Sequence, residues 1–262
     1  MKDTRVAIVQ MENSPGMLSD NLSKMKGYMS GASKMGVDII CFPEGCLTGY
    51  TSSDPMSIKR DDPSVKEILA LSSEEHMAVI FGFIEKDGSD TFVTQVEALP
   101  SGGVMYYRKT HLGVRERKCF TEGDIIDTIA SEKAVIGLQL CWEAHMPEVS
   151  TTLRNKGAEI IFMPHSMKGP ADRRRSVWMK YIPARAYDNG VYVCACNSMK
   201  GEGTGGIMIV DRHGDVIAED FSGKETMMIK DLPALPKEDV YPDDMKEANY
   251  FLRRRPGIYD LH

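Results

Sequence analysis

No run of about 18 apolar residues occurs anywhere in this 262-residue chain, which excludes a helix that crosses a bilayer. The N-terminus, Met1-Lys2-Asp3-Thr4-Arg5, leads straight into a strand pattern without the apolar stretch or cleavage site of a signal peptide, so a cytoplasmic location is expected. Positive charge is in deficit: 32 Lys and Arg face 38 Asp and Glu, a net charge of −6. A nucleic-acid partner would need a basic face, and none is expected. The six histidines are scattered, and no Cys or His pairs stand at ligand spacing, so neither a metal nor another cofactor is expected. Repeats, low-complexity segments and interdomain linkers are missing as well. Cys41, Cys46, Cys119, Cys141, Cys194 and Cys196 are even in number, but a chain of this size in a reducing compartment needs no disulfides. Cys194 and Cys196 read as small buried residues of a strand.

What remains is an ordinary globular composition, 42% hydrophobic and 27% charged, at a length suited to one α/β domain or two small ones. With no linker in sight, we read one domain over 1–262, with a proline- and charge-rich tail from about 232 that is given no regular structure. Arg253-Arg254-Arg255 reads as a solvated part of that tail. Strands are expected at 4–10, 38–42, 78–84, 91–99, 104–108, 135–141, 159–163, 191–197, 206–210, 216–219 and 226–229. A helix starting near Ser19 or Asp20, both good caps, would stripe Leu22, Met25, Met29 and Ala32 along one face. Further helical patterns cover 61–76, 147–156 and 171–189, and Pro183 should kink the last or begin a new helix. Strand–helix–strand units separated by hairpins point to mixed sheets with helices outside.

Three strand ends carry polar residues that ordinary strand ends do not require. Glu44 follows the strand 38–42, Lys109 follows 104–108, and Cys141 closes 135–141. Ligands of open α/β sheets bind at the carboxyl ends of strands, where a carboxylate, an ammonium and a thiol could converge. Taken singly, each also fits an ordinary role: a solvated cap, an exposed base, a buried inert thiol. A papain-like protease using Cys141 with His145 or His165 is conceivable too, but no helix-borne nucleophile or Asn partner has matching context.

Taken jointly, the pattern is specific. Glu44 stands 65 residues before Lys109, which stands 32 before Cys141. The segments Phe-Pro-Glu-Gly-Cys-Leu-Thr-Gly-Tyr (42–50), Tyr-Arg-Lys-Thr-His-Leu (107–112) and Cys-Trp-Glu-Ala-His-Met-Pro-Glu (141–148) resemble the nitrilase, or carbon–nitrogen hydrolase, superfamily. The resemblance covers nearly the whole chain. Phe-Thr-Glu-Gly-Asp (120–124) is similar to the family's Phe-x-Pro-Gly-Asp, with Glu122 in place of proline. Arg-Ala-Tyr-Asp-Asn (185–189) is similar to Arg-Ala-x-Glu-Asn, and Ile207 occupies a position the family fills with serine.

The resemblance implies a four-layer α-β-β-α sandwich with the site between the sheets, in a homodimer or larger homo-oligomer. It implies Cys141 as nucleophile, Glu44 as base, Lys109 beside the oxyanion and Glu116 as a second glutamate that orients Lys109 or the substrate nitrogen. Tyr50, Trp142, Glu143, His145, His165, Ser166 and Met167 follow strand ends and could line the pocket. The substrate would be a small linear amide or carbamoyl compound. Cys-Trp-Glu resembles the nitrilase branch instead, whereas Lys-Thr-His-Leu and the compact length look more like the amidase branches. Ala144 and His145 stand where some relatives that bind free amino-acid carboxylates have arginines, which disfavours an N-carbamoyl-D-amino acid. A non-catalytic binding homologue would have lost one of Glu44, Lys109 and Cys141, and all three are present.

Overall fold

A computed structural model describes residues 1–234, 251 and 254–259; Arg253 of the basic run lies outside the described residues. Twelve strands form two six-stranded sheets. The first has the order β12 (Thr226–Leu232), β1 (Thr4–Gln10), β2 (Ile39–Cys41), β3 (Ala78–Asp87), β4 (Asp90–Ala98), β5 (Val104–Arg108). The second has the order β11 (Val216–Asp220), β10 (Ile207–Val210), β9 (Tyr192–Asn197), β8 (Ile160–His165), β7 (Val135–Leu138), β6 (Thr128–Ala130). Each sheet holds three parallel strands, β1-β2-β3 or β7-β8-β9, flanked by antiparallel ones.

The middle residues of these parallel strands are apolar because both faces are covered. On β1, Val6 and Ile8 point to the space between the sheets, where they meet Ile39, Ile80, Leu138, Phe162 and Cys194. Ala7 and Val9 point outward, against Met25, Met29 and Ala32 of α1 (Leu18–Lys34) and Val65 and Ile68 of α2 (Pro63–Glu74). On the other sheet, Ile161, Met163, Val193 and Ala195 pack against α3 (Pro147–Asn155), α4 (Ala171–Trp178) and α5 (Ile182–Asn189). The layers run α-β-β-α. Among the described residues, no helix is long and apolar enough to cross a membrane.

Several local expectations are corrected. Neither Ser19 nor Asp20 caps α1, which begins at Leu18 without a side-chain cap. The chain entry is held from inside the helix: Asn21 accepts from the Ser14 N–H (3.1 Å) and donates to the Ser14 and Leu47 carbonyls (3.0 and 3.1 Å). As expected of Pro183, the stretch 171–189 divides into two helices, with Pro183 in the first turn of α5, where a missing N–H costs nothing. The strand expected at 135–141 ends at Leu138. The three-residue β6 had no expectation at all, being too short for a period to show. In the tail, Pro256–Ile258 form one 3-10 turn where no regular structure was assigned.

Glu97 on β4 is fully buried, and neither carboxyl oxygen has a hydrogen-bond partner. Burial pushes its carboxyl well above the usual range. A folded-state pKa above the unfolded value of about 4.3 costs nothing below that pH and costs progressively more as the pH rises. Glu97→Met is therefore expected to raise stability at pH 7–8 by roughly 1–3 kcal/mol. The gain should shrink toward pH 4, as read from urea unfolding midpoints across that range; a pH-independent difference would contradict this account.

Candidate active site

Lys109, the residue after β5, is fully buried and its ammonium is held by two carboxylates. Nζ donates to Glu44 Oε1 (2.8 Å) and to Glu116 Oε1 (2.8 Å). Glu44 sits in the turn after β2, where Pro43 ends the strand; it too is fully buried. Glu116 begins a 3-10 turn (Glu116–Lys118), and its Oε2 accepts from the Gly113 N–H (2.6 Å). The Tyr50 hydroxyl donates to Glu116 Oε1, and its ring packs 6.1 Å from that of Phe120. Tyr50 reaches this place because Gly49 turns with φ 72°, where a Cβ would come within 2.4 Å of the Pro15 Cα. Tyr50, Glu116, Lys109 and Glu44 thus form one chain of charge-assisted hydrogen bonds.

Cys141 adjoins the Glu44 carboxylate, whose Oε2 has no settled hydrogen-bond partner and is open to a thiol proton. The cysteine does not close a strand, as the sequence suggested. It opens a 3-10 turn, Cys141–His145, with φ 46°, a left-handed conformation that is costly for a residue with a Cβ. Three side chains hold that turn. Glu143 Oε2 accepts from the Leu140 N–H (2.7 Å), and Gln139 Nε2 donates to the Glu143 and Met146 carbonyls (2.7 and 3.0 Å). Arg185, from the Arg-Ala-Tyr-Asp-Asn segment on α5, donates to the Ala144 and His145 carbonyls (3.2 and 3.3 Å). The second oxygen of Glu143 then crosses to the other sheet. Oε1 accepts from Tyr107 Oη (2.8 Å), Thr110 Oγ1 (2.7 Å) and the Thr110 N–H (2.6 Å). The thiol and the lysine are therefore fixed to each other through Glu143.

Burial raises the Glu44 carboxyl and the Lys109 charge draws it back, leaving it at about 7. Burial opposes the charge on Lys109, but Glu44, Cys141 and Glu116 outweigh it and hold the ammonium above its ordinary range. Burial of Glu116 is likewise outweighed, chiefly by Lys109, and its carboxyl is held below the usual range. Burial, and next the Glu44 charge, push the Cys141 thiol well up. At rest the thiol keeps its proton, with an acceptor poised near neutrality beside it.

Of the other residues singled out in the sequence, Ser166 borders the thiol through its backbone, while its Oγ pairs with Ser198 Oγ (2.9 Å). His165 is fully buried, with Nδ1 on the Met163 carbonyl (2.7 Å) and its ring 4.7 Å from that of Trp178. Burial, reinforced by Arg174, pulls it down to about 3, so it is neutral. Trp142 (41% exposed) and His145 form a separate row with Tyr181, ring centroids 5.0 and 4.6 Å apart. Glu122, in place of the family's proline, accepts from the Leu112 N–H (3.3 Å); Ile207, in place of serine, is buried between the sheets. Sequence reasoning gave Glu143 no more than a pocket-lining role. Its signal was its place three residues after Leu140, from which a glutamate reaches back to the start of a helical turn. Among the described residues no group of three or more His, Cys, Asp or Glu is placed to hold a metal ion.

Comparison with known proteins places the chain in a family. The carbon-nitrogen hydrolase family profile matches residues 5–235. An (R)-stereoselective amidase from Pseudomonas sp is 28% identical, covering 82% of this chain and 80% of its own. A nitrilase from Pyrococcus abyssi is 29% identical, covering 98% and 94%. Among solved structures, a cysteine-to-alanine mutant of the amidase from Nesterenkonia sp. AN1 in complex with butyramide shares the fold, with a TM-score of 0.84 at 21% identity over 97% of this chain and 95% of that one. From the match over most of its length, the chain belongs to the carbon-nitrogen hydrolase family and is a hydrolase of carbon–nitrogen bonds other than peptide bonds.

Proposed function

We propose that the enzyme is an amidase that cleaves a small linear amide or carbamoyl compound through a thioester on Cys141. The observation that carries this reading is the buried set in which Lys109 bridges Glu44 and Glu116 next to the Cys141 thiol. Amide carbon is a poor electrophile and calls for a thiolate. Glu44 takes the thiol proton as Sγ bonds to the carbonyl carbon. The oxyanion of the tetrahedral adduct is met by Lys109 and a backbone N–H following Cys141; one such donor typically contributes about 3–4 kcal/mol. As the adduct collapses, Glu44 returns the proton to the leaving nitrogen, the C–N bond breaks, and ammonia or amine departs. Water then gives its proton to Glu44 and its oxygen to the thioester carbon, releasing the acid and the thiol. Glu116, anchored by Tyr50 and Gly113, keeps Lys109 charged and in place.

Six free cysteines support a reducing, cytoplasmic setting, and the resemblance supports a homo-oligomer. The test is ammonia release across short amides, ω-amides, carbamoyl compounds and nitriles. Amides or carbamoyl compounds should be turned over. Hydrolysis of nitriles alone would make the enzyme a nitrilase, and turnover of none would make it a binding homologue.

A further inference from the structure

Two buried cationic groups lie near the Glu44–Lys109–Cys141 cluster without forming an ion pair among the described residues. Arg174 on α4 is 6% exposed; its Nη2 donates to the Met167 and Lys168 carbonyls (3.1 and 2.9 Å), and its Nε donates to nothing. The Nζ of Lys200, three residues beyond β9, is buried and has no hydrogen-bond partner. Among the described residues neither forms an ion pair, although thirteen other pairs do form.

Both belong to one structure at the ends of β8 and β9. Ser166, whose backbone borders the thiol, bonds to Ser198, while Asn197 accepts from the Met167 N–H (2.8 Å) and donates to its carbonyl (3.1 Å). Arg174 holds the next two carbonyls of that segment, and Lys200 lies two residues past Ser198. Gly206 leaves room for the arginine: a Cβ there would meet Arg174 Cδ at 3.2 Å. Each lies within electrostatic reach of the catalytic cluster. Arg174 feels the Cys141 thiol and then Tyr181; Lys200 feels Glu44, with Lys168 and Glu12 as weaker neighbours. Burial brings the Lys200 ammonium down to about 8, in spite of Glu44.

A buried charge without an ion-pair partner is unfavourable, and two near one reactive cluster, Arg174 toward Cys141 and Lys200 toward Glu44, call for an anion that arrives with the substrate. We propose that the substrate carries a carboxylate at the end remote from its scissile C–N bond, and that the cationic rim of Arg174 and Lys200 selects it. This rests on the amidase reading. It differs from recognition by arginines just after the nucleophile, where Ala144 and His145 stand. A short linear ω-amide of a dicarboxylic acid fits: its amide carbon meets Cys141 while its carboxylate meets the rim.

The test compares kcat/KM for glutaramic acid and pentanamide, a charged and a neutral amide of equal chain length. A preference of at least about 100-fold for the charged amide is expected, because the neutral one leaves buried cations unmatched. Lys200→Met and Arg174→Met should each reduce that ratio about tenfold or more, and Lys200→Arg should restore much of it. Equal use of both amides, or a ratio unmoved by both methionine variants, would overturn the proposal. If amides are not cleaved but nitriles are, the amidase reading has failed alone, and 4-cyanobutanoate against pentanenitrile tests the rim in the same way. A readout independent of turnover covers the remaining cases: glutarate should slow iodoacetamide alkylation of Cys141 in the wild type and do so less in Lys200→Met. No protection of the wild type by glutarate would also overturn it.

Discussion

Cys141→Ala should fold as the wild type does and lose turnover, on the order of the 10⁶-fold seen when a catalytic nucleophile is removed. Alanine lacks the sulfur proposed to form the thioester, and it tolerates the left-handed turn no worse than cysteine, since both carry a Cβ. Cys141→Ser should also be inactive, because its hydroxyl is a far weaker nucleophile held beside the same base. Circular dichroism and thermal unfolding of both variants check the fold, and ammonia release checks the chemistry. In the wild type, iodoacetamide followed by peptide mass spectrometry should label Cys141 fastest. Cys41, Cys46, Cys194 and Cys196 are fully buried, with no exposed path to the reagent. Cys119 is the half-buried competitor, but its thiol is engaged by the Ser52 carbonyl (2.8 Å). Preferential labelling of Cys119, with Cys141 untouched, would remove the nucleophile assignment.

Glu44→Gln is expected to cost more than Glu116→Gln. Glutamine is nearly isosteric, so the shape of the buried cluster survives while proton acceptance is lost. General acid–base removal typically costs roughly 10²–10⁴-fold, and Glu44 moves a proton in both halves of the reaction. Glu116 holds Lys109 in position, and a misplacement of about 1 Å costs up to roughly 10²-fold. The pH profile offers a second handle. The base must be unprotonated, so wild-type kcat/KM should fall about tenfold per pH unit below about 7, the value to which burial raises Glu44. Lys109, held above its ordinary range, sets no limb near neutrality. Single-turnover kinetics and thiol alkylation rates on both variants decide the matter. Near-wild-type acylation in Glu44→Gln, with loss in Glu116→Gln, would exchange the two roles.

The central strands were legible because burial on both faces leaves apolar runs with sharp ends; β1 has the bounds read from the sequence. The candidate site residues stood out for a related reason: each stands at or just past such an end, in a segment with a recognisable neighbourhood. What escaped notice depends on contacts between distant parts of the chain. Asn21, not the better-capping Ser19 or Asp20, organises the start of α1, because its partners Ser14 and Leu47 lie outside the helix. Glu143 matters through Tyr107 and Thr110 on the opposite sheet, which no local pattern foreshadows. Arg174 sits in an Arg-Arg-Arg run that the sequence did not single out, and only packing distinguishes it from its exposed neighbours Arg173 and Arg175.

The place of β1 gives the molecule a schedule. This strand lies between β2 and β12, with Thr4 opposite Leu232 and Gln10 opposite Thr226. While the chain is being made, β1 gains its β2 neighbour early, but its other edge waits for residues more than two hundred positions later. At roughly 5–20 residues per second, that wait is on the order of ten seconds or more. Throughout it, β1 presents an unpaired edge to any other strand, and the two glutamates and lysine of the cluster exist before the cysteine that completes it. Because such long-range pairing is slow to form, a nascent chain needs protection at this edge more than at any other stage. The first sheet is therefore complete only when the last of its strands has been made.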